Sequence, residues 1–273
     1  MGTIETFTLS VKPLTQSPRR VWVYLPSGYE KDSRKYDVLY MFDGHNLFDD
    51  NVATYGRSWR LKDTLDRMKL PLVIVGQDCN HTGNRRLEEY CPVPLDPNAT
   101  FDNLVEARGL KSKGTITAKW FAEKLKPYCE EHYRIFRERS HVGIGGSSMG
   151  GLMSLYMIAA YNDVYSRALC FSSTLDITFA QLRPVLEQAD MDQKTRVFLN
   201  FGENEGKGKH FLAENVETML LANRILQEKG VSSTADLLLH GKHNEASWDR
   251  AFPDAIRFLW PEFFQDGHDG NSL

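Results

Sequence analysis

The chain has 273 residues, 41% hydrophobic and 25% charged, an ordinary globular composition with enough apolar material for a core. Its formal net charge of −3, without a strong basic cluster, argues against a nucleic-acid partner. No apolar run reaches the roughly 20 residues that cross a bilayer, and the first residues lack both the basic and the apolar region of a secretory signal. No membrane partner and a cytoplasmic location are therefore expected. The length fits one domain over residues 1–264, followed by a polar tail over 265–273. The four cysteines, Cys79, Cys91, Cys129 and Cys170, have no C-x-x-C spacing, so neither a metal site nor a redox pair is expected. Cys129 and Cys170 sit in apolar contexts and read as buried free thiols.

Residues 5–11 alternate in the strand manner, and residues 20–25 do so again after Ser17-Pro18, which predicts an opening antiparallel pair. Residues 36–42 form a mainly apolar run of strand length that ends abruptly in Asp43-Gly44-His45-Asn46. Residues 58–69 carry Trp59, Leu61, Leu65 and Met68 at helical spacing behind Ser58 as a candidate N-cap. Another buried strand is expected at 72–76. From 79 to 113 periodicity disappears among Pro92, Pro94, Pro97 and polar residues, and so long an unpatterned insertion reads as a functional pocket rim.

Residues 115–133 resume a helical pattern in which Pro127 implies a kink or break. An apolar run at 141–144, a glycine-rich stretch at 145–151 and a helix at 152–161 follow. Strands are then expected at 167–172, 195–201 and 235–239, alternating with helices at 178–189, interrupted by Pro184, at 210–229 and at 246–258. Gly230 closes the second of these helices. The alternation predicts an α/β fold: a mostly parallel central sheet with helices on both faces and an antiparallel N-terminal edge. Ligands bind such sheets at the carboxyl ends of the strands, where the polar clusters 43–46, 77–78, 145–151, 202–205 and 240–245 all fall.

Within 145–151 the pattern G-x-S-x-G fits only Gly146, Ser148 and Gly150, at a strand-to-helix junction. Ser148 is the candidate nucleophile. A serine hydroxyl needs a histidine base, and the base needs a carboxylate to hold its tautomer. The order Ser…acid…His puts the histidine after the last strand, which favours His243 over His240, still part of the strand run. Glu205, Glu203 and Asp176 are candidate acids, with Glu205 preferred. The backbone N–H groups of Met149 and of His45, in the Gly44-His45 loop, are candidate oxyanion donors.

The segments Tyr-Asp-Val-Leu-Tyr-Met-Phe-Asp-Gly-His-Asn-Leu-Phe, Arg86-Leu87-Glu88-Glu89-Tyr90, Gly-Ser-Ser-Met-Gly-Gly-Leu and Gly-Lys-His-Asn-Glu-Ala-Ser-Trp occur in this order. Together they resemble the Putative esterase (esterase D-like) family of α/β-hydrolases. That family includes enterochelin esterases, feruloyl and acetyl-xylan esterases, S-formylglutathione hydrolases and mycolyltransferases. The resemblance runs over residues 21–264. It implies Ser148 as nucleophile, His243 as the histidine of an H-x-x-x-x-W pattern ending at Trp248, and Glu205 as the acid.

The function expected is hydrolysis of small carboxylic esters by a serine esterase without a cofactor. Acyl transfer or thioester hydrolysis by the same groups is the first alternative, and an inactive hydrolase fold used for binding is the second. The partner is a small-molecule ester, with a homo-oligomer left open. Asn46 and Arg86 are candidate substrate contacts. Arg85, Arg86, Lys207, Lys209 and His210 could make one rim positive for an anionic substrate, against the plainer reading of solvated surface charge. Trp22, Trp120 and Trp260 fall on apolar patterns and read as core.

Overall fold

Thr3–Leu9 (β1) and Arg19–Leu25 (β2) pair antiparallel in the computed structural model, which describes residues 1–95, 109–206 and 208–265. β2 continues antiparallel onto Leu72–Gln77 (β4), and from there every pairing is parallel. Asp37–Met41 (β3), Val142–Ser147 (β5), Arg167–Phe171 (β6), Arg196–Gly202 (β7) and Ser232–Leu238 (β8) complete the sheet. The strand order among the described residues is β1-β2-β4-β3-β5-β6-β7-β8. This is the expected α/β architecture with its antiparallel edge. No helix among the described residues is long and apolar enough to cross a membrane.

β3, β4 and β5 are buried along their whole length, which is why their sequences read as runs rather than as alternations. Successive side chains feed opposite layers. Val38 and Tyr40 join one cluster, while Leu39 and Met41 join the other. The second cluster is closed by Leu61 and Leu65 of α1 (Leu61–Met68) and by Phe252, Ile256 and Leu259 near the carboxyl end of the chain. Trp260 is fully buried there and Trp120 nearly so in the other layer, whereas Trp22 is only half-buried. All four cysteines are buried free thiols.

Three local expectations need correction. Ser58 does not cap α1: the cap position is Arg60, in a left-handed conformation, and the Ser58 hydroxyl donates to Asp50 instead. The insertion is not patternless throughout, because Arg85–Glu89 forms a short helix, α2. Five residues give too little periodicity to detect. Residues 96–108 of that insertion and the tail from 266 lie outside the described residues. Finally, Pro184 does not interrupt its helix, which runs from residue 179 to 188, whereas the α-helix over 115–133 is interrupted just ahead of Pro127, as expected. Gly114–Trp120 (α3) and Lys126–His132 (α4) are joined by a π turn, Phe121–Leu125. The Lys126 N–H reaches back to the Phe121 carbonyl, a wider turn that takes up the missing Pro127 donor and the bulk of its ring.

The other layer is closed by α5 (Met149–Ala160), α6 (Phe179–Gln188) and α7 (Lys209–Glu228). The last helix, α8 (Glu245–Leu259), supplies the Phe252 face noted above. Among the described residues β8 is bonded to β7 alone and forms one edge of the sheet, with Leu237 43% exposed.

α2 is fastened by a buried ion pair: Arg19 Nη1 and Nη2 donate to Glu89 at 3.0 and 3.1 Å, with side chains only 6% and 4% exposed. Removing one partner strands the other charge. Glu89→Ala should lower unfolding free energy by about 3–5 kcal/mol, whereas an apolar replacement of both residues should lose less. Urea unfolding of the two variants checks this, and a loss below about 1 kcal/mol for Glu89→Ala would contradict it.

Candidate active site

Ser148 joins β5 to α5 with φ 58° and ψ −126°, a conformation that costs a residue with a side chain on the order of 1–3 kcal/mol. Its N–H donates to the Phe171 carbonyl at 2.9 Å, and its carbonyl accepts from Leu152 at 3.0 Å. The flanking glycines are required by contact. A Cβ on Gly146 would lie 2.9 Å from the Gly150 carbonyl carbon, and one on Gly150 would lie 2.9 Å from Phe42 Cβ. The turn thus lifts the serine to the amino end of α5, where the helix leaves N–H groups unpaired and presents its positive dipole end.

The loop after β3 approaches from one side. Asp43 is left-handed, with φ 55°, and Gly44 packs so closely that a Cβ there would sit 2.3 Å from the Gly76 carbonyl oxygen. Among the described residues, neither the His45 N–H nor the Met149 N–H has an acceptor. Arg86 donates to both Asp43 oxygens, at 2.8 and 2.7 Å, and the Tyr90 hydroxyl accepts from the Asp43 N–H while donating to Gln77. Asn46 Oδ1 accepts from the Thr54 N–H at 2.9 Å. Both candidate substrate contacts, Asn46 and Arg86, are thus engaged within the protein. The Arg86-to-Tyr90 segment braces the loop.

From the other side come the loops after β7 and β8. His243 Nδ1 lies 2.8 Å from Glu205 Oε2, so the proton placed on Nδ1 leaves Nε2 with the lone pair. The other Glu205 oxygen accepts from the Gly202 N–H at 2.6 Å and from the Ser172 hydroxyl. Ser172 in turn accepts from Trp248 Nε1 at 2.8 Å, and the Trp248 ring stands edge-on to the imidazole, 5.2 Å between centroids. The His243 loop is fixed by Asn244, which caps α8 by accepting from Ser247, and by the Lys242 N–H donated to Ser247 Oγ. Ser172 was not visible as a site residue in the sequence, since a serine after a strand carries no distinguishing signal. No hydrogen bond joins Ser148 Oγ to His243.

The rejected alternatives lie elsewhere. His240 is 85% exposed at the end of β8, 3.5 Å from Glu203, whose carboxylate also accepts the His240 N–H. Asp176, in the loop after β6, is half-buried; burial lifts its carboxyl to about 6, opposed by backbone N–H groups and by nearby His243. The alternative of a positive rim finds little support. Arg86 is neutralised by Asp43, Lys207 lies outside the described residues, and exposed His210 is 3.0 Å from Glu214. A cavity of about 600 Å³ lined by Tyr24, Lys62, Asp66 and Leu70 opens near the amino end of β4, with no histidine in its wall.

This sheet, with a strained serine between its central strand and the following helix, defines an α/β-hydrolase. A family model described as Putative esterase matches residues 13–259, and the chain belongs to that family of ester hydrolases. An uncharacterized protein of Bacillus subtilis (strain 168), YbbA, is 25% identical over 248 residues, covering 89% of this chain and 92% of that protein. An IroE-like serine hydrolase from Shewanella oneidensis superposes with a TM-score of 0.73 at 18% identity, over 95% of this chain and 81% of that one. A ferulic acid esterase superposes with a TM-score of 0.68 at 21% identity, over 94% and 98% respectively.

A carboxyl raised from 3.8 to about 6 holds its proton more tightly in the folded state, so Asp176 makes stability fall as pH rises through that window. Asp176→Asn removes the dependence. Relative to wild type, the variant should gain on the order of 2–3 kcal/mol between about pH 4 and about pH 7 in urea unfolding. A difference that does not change with pH would refute the assignment.

Proposed function

We propose that this ester hydrolase is a serine carboxylesterase acting on small carboxylic esters through an acyl-enzyme, with Ser148, His243 and Glu205 as its catalytic residues. The observation that carries this reading is the His243–Glu205 contact of 2.8 Å, formed at the same sheet edge as the strained serine. Glu205 holds the imidazole with Nε2 as the base. Closure of His243 onto the Ser148 hydroxyl then lets Nε2 take the proton as Oγ attacks the ester carbonyl carbon. The Met149 and His45 N–H groups receive the developing oxyanion, aided by the α5 dipole. The imidazolium returns its proton to the departing alcohol, and the same base activates water to release the acid. His243 is 41% exposed on its side chain, which gives water a path to that second step.

Ser148→Ala should cut turnover of a chromogenic short-chain ester by at least about 10³-fold. Glu205→Gln should cost about 10²–10⁴-fold, while Asp176→Asn should stay within about tenfold of wild type. Steady-state kinetics on the three variants separates the two acids. Full turnover by Ser148→Ala would end the assignment, and partition of the acyl group onto added alcohols or thiols in preference to water would recast the enzyme as a transferase.

A further inference from the structure

His45 lends only its backbone N–H to the proposed ester chemistry; its imidazole points into a different cluster. Nε2 lies 2.9 Å from the Thr54 hydroxyl and Nδ1 lies 2.9 Å from Asp78 Oδ1. The second contact is a close ion-pair approach and not a formed hydrogen bond. Nδ1 is therefore buried without a hydrogen-bond partner, in a residue 6% exposed. In the tautomer with Nε2–H on Thr54, the Nδ1 lone pair is turned toward the cluster and free to bind a cation.

The rest of a coordination set is in place. The same Asp78 oxygen lies 2.9 Å from His81 Nε2, and Cys79 Sγ lies 3.9 Å from His81 Nδ1. One ligating atom from each of His45, Asp78, Cys79 and His81 lies within 4.8 Å of all the others. Tetrahedral zinc, with bonds of about 2.0–2.3 Å, sets its ligands about 3.3–3.8 Å apart. A contraction of about 1 Å across the widest pair closes the set. The His81 side chain, 58% exposed, has room to make it.

We propose that His45, Asp78, Cys79 and His81 form a tetrahedral site for a borderline divalent transition ion of the zinc type. Two imidazoles, a carboxylate and a thiolate suit zinc or cobalt and not the oxygen-seeking magnesium or calcium. Binding forms the metal–Sγ bond and releases the Cys79 proton to solvent. The Thr54 hydroxyl orients the His45 ring as outer partners of metal-bound histidines do. The ion ties the loop after β3, which carries the His45 N–H, to the loop after β4, and the site does not depend on Ser148 being the nucleophile.

Full-length protein treated with a chelator and titrated with Co²⁺ alone should bind one equivalent, giving an intense near-ultraviolet thiolate-to-cobalt band that Zn²⁺ then removes. Cys79→Ser should lose that band. His81→Ala, at an exposed position, should melt like wild type without metal but bind Co²⁺ more weakly by about 10²-fold or more. No such band in wild type, the band's persistence in Cys79→Ser, or unchanged affinity in His81→Ala would each overturn the site. These readouts need no ester turnover, so their failure leaves the esterase reading untouched.

Discussion

A carboxylate withdrawn from water needs donors for its oxygens, and the Glu205 side chain, 2% exposed, finds three from different parts of the chain. Gly202 supplies the first from the end of β7, Ser172 the second from the end of β6, and His243 the third from beyond β8. One side chain therefore ties together the tips of three neighbouring strands. Trp248 secures the arrangement from the α8 layer, since its indole N–H holds Ser172 while its ring packs on Trp59 and against His243. The tryptophan five residues beyond the histidine thus has a physical role in holding the pair, beyond its spacing.

The loop on the opposite flank is held by the same logic with different chemistry. Asp43 adopts a left-handed conformation that frees the next N–H groups from regular pairing, and Arg86 and Tyr90 hold it there. Glu89, between them, pairs with Arg19 on β2. Residues that could be taken for a recognition surface are spent on rigidity. Two carboxyls near His243, Asp176 and buried Glu245, are both raised by desolvation.

Much of this was legible before any coordinates, for identifiable reasons. Buried parallel strands write themselves as apolar runs, and sheet topology brings whatever follows them to one edge, so Ser148, His243 and a carboxylate from among Glu205, Glu203 and Asp176 could be nominated from order alone. The glycines around Ser148 were legible because their contacts tolerate no side chain. Ser172 was not, because its role comes from a contact 76 residues away in sequence. The His45–Asp78–Cys79–His81 cluster was equally hidden: its members lie in two loops brought side by side by the β3–β4 pairing, without the spacing that marks a metal motif. α2 and the π turn escaped because neither spans enough residues to show a period.

The position of β8 has a further consequence. Ser148 is rooted in β5, which has β3 on one side and β6 on the other, whereas His243 hangs from a strand with a single neighbour. Edge strands open at lower free energy than central ones. Gentle heating or dilute denaturant is therefore expected to loosen the strand that carries His243 before the junction that carries Ser148.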